Sequence, residues 1–271
     1  MPELPEAETI ARALDKTLKQ RRIEKVEIFF PKLRTSLKPL VTGHLEGRKI
    51  TGCRRRARYA VLSLDDGRFL VLHFGMSGVV RVVGGEVPRK KHEHVVISLE
   101  GGEQIRFEDP RRFGSVEVCT AGKDGWPESL AGLGVEPLSA AFTGAYLFEK
   151  SRERHIPAKE LIMDNKVVVG IGNIYAAETL FASRVSPVRK ADCLTLEECR
   201  ELVANAKRIL RLAIKWGGST IHDYRHVDGS EGKFAQKLLI YGKKTCPICS
   251  GEVLHPVIGG RTSWYCPACQ K

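Results

Sequence analysis

No run of apolar residues in this chain of 271 approaches the ~20 that a helix needs to cross a bilayer, so a helical membrane protein is not expected. The opening segment, MPELPEAETI, has neither a basic stretch nor an apolar one. A secretory signal is therefore not expected, and a cytoplasmic location is. Internal repeats and low-complexity tracts are absent too. Acidic residues are in short supply: 32 Asp and Glu stand against 44 Lys and Arg, a formal net charge of +12. Such a surplus favours a polyanionic partner. Residues 184–271 hold 15 Lys and Arg against 8 Asp and Glu, interleaved with apolar residues as on a folded basic surface.

Four of the eight cysteines, Cys53, Cys119, Cys193 and Cys199, follow no spacing and are expected to be reduced. The other four do follow one. Cys246-Pro-Ile-Cys249 is separated by sixteen residues from Cys266-Pro-Ala-Cys269, the spacing of a four-cysteine zinc ribbon. Four protein ligands close the coordination sphere, so one structural Zn2+ is expected and no metal-bound substrate. Between the pairs, Val253–Ile258, Gly259-Gly260 and Ser263–Tyr265 read as a hairpin that could present Arg261. Arg261 could equally be a solvated turn residue.

Pro5 suits the first turn of a helix, and Ile10, Ala11, Leu14 and Leu18 continue at helical spacing. Glu3, Glu6 and Glu8 gather at its positive end. From about 23 to 118 short alternating runs take over. Tyr59–Leu64, Asp65-Asp66-Gly67 and Arg68–Phe74 predict one hairpin; His94–Leu99 and Gln104–Phe107, turning at Gly101-Gly102, predict another. A Gly/Pro-rich stretch at 125–137 marks a boundary, and the pattern beyond it is helical. Thr195-Leu-Glu-Glu198 is a capping box opening a long amphipathic helix with Cys199, Leu202, Val203, Ala206, Ile209, Leu210, Ala213 and Ile214 on one stripe. Gly217 and Gly218 end it. Gly170 and Gly172 precede a further helix at 174–183, a start that can hold a phosphate. The fold class is thus α+β: a β-sandwich with a leading helix over 1–131, a helical domain over 132–235, and a zinc ribbon over 236–271.

Three separated motifs resemble the formamidopyrimidine-DNA glycosylase family. They are Pro2-Glu3-Leu4-Pro5-Glu6, then Met163-Asp164-Asn165-Lys166 with Gly170-Ile171-Gly172-Asn173, and the terminal ribbon with Arg261. His73-Phe74-Gly75-Met76-Ser77-Gly78, Lys91-His92-Glu93-His94 and Asp109-Pro110-Arg111-Arg112-Phe113-Gly114 are similar as well. The resemblance spans the chain and implies a helix–two-turns–helix form for the middle domain. It also implies a bifunctional glycosylase and lyase acting on oxidised purines such as 8-oxoguanine and formamidopyrimidines. Double-stranded DNA with damaged bases is the implied partner, and a nucleoid-associated monomer of a bacterium the implied setting.

The chemistry is coherent. Proline after Met1 permits removal of Met1, and an α-amino group titrating near ~7.7–8.0 keeps a neutral, nucleophilic fraction at pH 7. The resemblance assigns catalysis to Pro2 as nucleophile and Glu3 as acid/base, with Glu178 near the amine and Arg58 and Arg261 in support. Its implied DNA contacts are His92, Arg111, Arg154, Lys159, Asn173 and Arg261, with Lys159 near the lesion or its phosphate. A base acted on chemically must leave the stack, and Met76, Arg111 and Phe113 match the residues that fill the void. One position departs from the pattern. Within Arg54-Arg55-Arg56-Ala57-Arg58-Tyr59 the family carries a lysine where Arg58 stands, and arginine keeps the charge but cannot donate a proton. Two alternatives stay open: an endonuclease VIII-like enzyme for oxidised pyrimidines, and a non-catalytic zinc-containing protein that binds damaged DNA.

Overall fold

The computed structural model describes residues 2–219, 227 and 230–271. The chain divides into two compact units, one of residues 1–131 with 217–233 and one of 132–216 with 234–271.

The first unit opens with helix α1 (Leu4–Leu18), which Pro5 enters at its first turn. Glu3 caps it, and the Glu3 backbone N–H donates to Glu6 Oε2 at 2.9 Å in a reciprocal capping box. After β1 (Ile23–Ile28) and the short helix α2 (Lys38–Thr42) come seven strands: β2 (Ile50–Arg56), β3 (Tyr59–Leu64), β4 (Phe69–His73), β5 (Val79–Gly84), β6 (Glu93–Leu99), β7 (Glu103–Glu108) and β8 (Ser115–Cys119). They form two antiparallel four-stranded sheets, β1-β6-β7-β5 and β2-β3-β4-β8. Both expected hairpins are present: β3 and β4 pair Leu62 with Leu70, and β6 and β7 pair Ile97 with Ile105. Alternation along the strands builds the core. Val95, Ile97, Leu99 and Phe107 from one sheet meet Leu62, Leu64, Leu70 and Leu72 from the other, joined by Ile10, Leu14 and Leu18 of α1. Each such side chain contributes roughly 1.5–3 kcal/mol on burial, so the sandwich is a firm mount for the loops at its ends.

The second unit is helical: α3 (Gly144–Ser151), α4 (Ala158–Met163), α5 (Asn173–Ala182) and α6 (Leu196–Lys215). The capping box opening α6 is present, Thr195 Oγ1 accepting from the Glu198 N–H at 3.2 Å and Glu198 Oε2 accepting from the Thr195 N–H at 2.8 Å. The buried stripe runs from Cys199 to Ala213; Ile214 is only half-buried. Gly217 and Gly218, at φ 74° and 81°, take the left-handed conformation that stops the helix. Two short strands, β9 (Val257–Ile258) and β10 (Arg261–Thr262), make the expected ribbon hairpin, with Gly259 and Gly260 at φ 57° and 70° in its turn. Cys246, Val253 and Cys266 share an apolar cluster with Ala177 and Phe181 of α5, so the ribbon is packed on that helix. No helix among the described residues is long and apolar enough to cross a membrane.

Candidate active site and nucleic-acid interface

At the head of α1, Pro2, Glu3 and Glu6 are all buried. Met1 lies outside the described residues. Glu6 is the tie: Oε1 accepts from the Ser219 N–H at 2.7 Å and the Ser219 hydroxyl at 3.1 Å, while Oε2 holds the Glu3 N–H. Glu6 and Ser219 thus fix the terminus that carries Pro2 and Glu3. Sequence reasoning placed Glu6 only at the positive helix end; the Glu3-x-x-Glu6 spacing of a capping box was the available signal.

A second cluster in the same unit joins the ends of β4 and β7. Met76, 41% exposed, and Phe113, 49% exposed, stand at the tips of two loops, with the Arg111 guanidinium 5.0 Å from the centre of the Phe113 ring. A cavity of about 340 Å³ lies beneath, lined by Arg34, His73, Gly75, Met76, Arg112 and Phe113. Burial, with the charges of Arg34 and Arg58, pulls the His73 imidazole down to about 4, so the ring is neutral at pH 7. His73 packs against Tyr59 at 4.8 Å, and its Nδ1 accepts from the Gly75 N–H at 3.3 Å. Arg58 follows the left-handed Ala57 (φ 52°) in the turn between β2 and β3, half-buried. His92, also half-buried, accepts the Asp109 N–H on its carbonyl at 2.9 Å. Exposed apolar tips on a cationic ground suit insertion into stacked bases beside phosphates.

In the second unit Arg261 is exposed on β10, and the Thr262 carbonyl next to it accepts from Asn173 Nδ2 at 3.0 Å. Lys159, expected near the DNA, is 1% exposed. Its ammonium donates to Ser263 Oγ at 2.5 Å and to the carbonyls of Thr262 and Arg261 at 3.3 and 3.4 Å. The cation therefore sits under the hairpin that carries Arg261, held by acceptors 102 to 104 residues away in sequence. Arg154, another expected phosphate contact, is ion-paired with Asp164 at 2.5 Å. Glu178 is buried and accepts three backbone N–H groups, from Leu239, Ile240 and Tyr241, at 2.8 to 2.9 Å. Burial pushes its carboxyl above the usual range and outweighs those three bonds.

The four ribbon thiols converge: Cys246, Cys249, Cys266 and Cys269 have sulfurs all within 4.8 Å of one another, with separations of 3.8 Å (Cys246–Cys269) and 3.5 Å (Cys249–Cys266). Disulfides need about 2.05 Å. Tetrahedral zinc with bonds of about 2.3 Å sets its sulfurs ~3.8 Å apart, which these separations fit. The cluster is the site of one structural Zn2+.

Comparison with known proteins agrees with this geometry. Residues 1–116 match the family described as Formamidopyrimidine-DNA glycosylase N-terminal domain, and residues 133–225 the Formamidopyrimidine-DNA glycosylase H2TH domain. The formamidopyrimidine-DNA glycosylases of Stenotrophomonas maltophilia and Vibrio cholerae are 46% and 43% identical to this chain, each with both chains covered in full. Among solved structures, the chain is similar to a Lactococcus lactis Fpg variant in complex with Fapy-dG-containing DNA (TM-score 0.89, 30% identity, full coverage of both chains). It is similar also to the Thermus thermophilus MutM (Fpg) protein (TM-score 0.87, 36% identity, covering 99% of this chain and 98% of that one). Matched by both family models and, over its whole length, by these relatives, the chain belongs to the formamidopyrimidine-DNA glycosylase family.

Proposed function

We infer that this chain is a bifunctional DNA glycosylase and AP lyase that removes oxidised purines from duplex DNA, with Pro2 as its nucleophile. One observation carries the assignment of the nucleophile: Pro2 and Glu3 are buried together at the head of α1, fixed from behind by Glu6 and Ser219. Once Met1 is removed, the Pro2 nitrogen is a secondary amine. Its lone pair attacks the anomeric carbon of the damaged nucleotide, the glycosidic bond breaks, and the base leaves with the bonding pair and takes up a proton. The sugar ring opens to an iminium on Pro2, with Glu3 as the acid/base beside it. The iminium withdraws electrons, so a neighbouring C–H proton is lost and the 3′ phosphate departs by elimination. Water then adds to the iminium carbon, and loss of a proton with cleavage of the C–N bond returns the amine and frees the sugar aldehyde.

The remaining residues divide by what they reach. Met76, Arg111 and Phe113 fill the void left by the extruded base, and Arg58 and His92 sit on the cationic ground beside them. Arg261 and Asn173 contact backbone phosphate. Lys159 and Glu178 act from behind, through the hairpin and through residues 239–241. Arg154 reaches phosphate only by leaving Asp164. The first 131 residues carry the chemistry, 132–235 the helical DNA-binding part and 236–271 the zinc finger. The protein works in the cytoplasm.

The test is borohydride trapping on a duplex with one 8-oxoguanine opposite cytosine. A covalent adduct whose attachment maps to Pro2, absent in Pro2→Gly, is expected. Tight lesion binding with no adduct, after mass spectrometry has confirmed removal of Met1, would make this a damage-binding protein without catalysis.

A further inference from the structure

The loops bearing Met76 and Phe113 are 37 residues apart in the chain, yet their backbones touch. A Cβ on Gly75 would lie 2.4 Å from the Phe113 carbonyl carbon, and Gly75 is at φ 53°. A Cβ on Gly114 would lie 2.7 Å from the His73 carbonyl oxygen. Glycine is required on both sides of the contact. Between the loops sits Asp109, fully buried and in no ion pair among the described residues. Ser77 Oγ donates to Asp109 Oδ1 at 2.6 Å, and the Gly114 N–H donates to Oδ2 at 2.7 Å. Ser77 Oγ in turn accepts the Arg111 N–H at 3.2 Å. The backbone of Asp109 is pinned as well, its carbonyl accepting from His94 Nε2 at 3.0 Å.

We propose that Asp109, through Ser77, is a positioning residue that locks the Met76 loop and the Arg111–Phe113 loop into one rigid wedge. A buried carboxylate is costly unless its oxygens are met by donors, and here they come from both loops at once. Hydrogen bonds to a charged group are short and directional, so neither tip can yield without breaking one. That stiffness matters when a paired base must be driven out of the stack, because a wedge that recoils does not displace it. It matters much less once the base is gone.

This inference rests on the reading of Met76 and Phe113 as void-filling residues, and the experiment separates the two. Single-turnover rates are measured for Ser77→Ala, Asp109→Asn and the double variant on two duplexes. One carries 8-oxoguanine opposite cytosine; the other carries a preformed abasic site, from which no base has to leave. Met76→Ala and Phe113→Ala run in parallel, and melting curves check the fold. Ser77→Ala is the mild variant, since it leaves the Gly114 bond in place. Base excision is expected to fall about ten- to hundred-fold in Ser77→Ala and Asp109→Asn, from the loss of a charged hydrogen bond. Cleavage at the abasic site should stay within about threefold, and the double variant should be no slower than Asp109→Asn. Equal losses on both duplexes, or additive effects in the double variant, would overturn the clamp. If Met76→Ala and Phe113→Ala shift the ratio between duplexes while Ser77→Ala and Asp109→Asn do not, the wedge stands and the clamp falls. If none of the four shifts it, the wedge reading falls and the clamp with it.

Discussion

Lys159 offers a sharp test, because a surface contact and a buried prop give different salt dependences. Each phosphate neutralised by a side chain adds about −0.9 to the slope of log K against log salt on duplex DNA. If the Lys159 ammonium reached a phosphate, Lys159→Met would flatten that slope by about 0.9. In the structure it is buried under β10 and donates to Ser263 Oγ, Thr262 O and Arg261 O. Methionine leaves the Ser263 hydroxyl oxygen without this donor, at roughly 1–3 kcal/mol for an acceptor stranded, whereas the Arg261 carbonyl keeps the Ser263 hydroxyl at 3.5 Å. The Thr262 carbonyl keeps Asn173. Methionine also escapes the several kcal/mol of desolvation that burying an ammonium costs. Global stability should therefore move by no more than roughly 2 kcal/mol while the hairpin loosens. The expected result is a loss of about tenfold in affinity for a lesion duplex at every salt concentration, with the slope unchanged within about 0.3. Arg261→Ala should flatten the slope by about 0.9, and in the Lys159→Met background it should do less than additive damage. Fluorescence anisotropy titrations between 50 and 200 mM salt measure all of this. A slope that falls by about 0.9 in Lys159→Met, additive with Arg261→Ala, would refute the prop.

Removing zinc with a chelator, or replacing Cys266 by serine, should abolish lesion binding while far-UV circular dichroism keeps most of its helical signal; added Zn2+ should restore the chelated protein but not the variant. His73, held at about 4 by burial and the nearby arginines, stays neutral in the fold while the unfolded chain takes up a proton below about 6.5. Its share of stability is complete above that value and is lost as pH falls towards 4, by roughly 3 kcal/mol; urea denaturation at pH 7 and 4.5 should show it, and His73→Gln should flatten the difference. Arg58→Lys returns a group that can donate a proton, and should change the ratio of 8-oxoguanine to formamidopyrimidine excision at least threefold. An unchanged ratio would show that charge alone is needed there.

What the sequence made legible was local. The cysteine pairs, the Gly259-Gly260 turn, the Thr195–Glu198 box and the two hairpins each lie within a few residues of one another, where spacing and backbone preference decide the outcome. The amphipathic stripe of α6 held as far as Ala213 and ended one position short, Ile214 being only half-buried in the last turn of the helix. The polar supports were not legible, because each joins distant segments. Lys159 to Ser263 spans 104 residues, Glu178 to Tyr241 spans 63, and Ser77 to Asp109 spans 32. A basic residue looks solvated until its fold places acceptors around it. Arg154 was open to the same error, since nothing in its own neighbourhood announced Asp164, ten positions on.

These supports share a logic that apolar packing could not supply. Pro2 and Glu3 are braced by Glu6 and Ser219, Met76 and Phe113 by Asp109 and Ser77, and Arg261 by Lys159 and Ser263. In each case the side chains proposed to face the substrate are held by a charged group buried behind them. Apolar contacts resist separation but tolerate sliding, whereas a short bond to a charge fixes both distance and direction. Met76, Phe113 and Arg261 hold their positions while exposed, so their bracing has to come from behind and has to be directional. The same groups weaken the fold they sit in, since a buried ion is seldom better for stability than well-packed carbon. Replacing Asp109 or Lys159 by an apolar residue of similar size can therefore leave the melting temperature unchanged, or raise it, while activity falls. Stability and activity moving apart at these positions, and together at core positions such as Leu62 or Leu14, is the signature of residues retained for position.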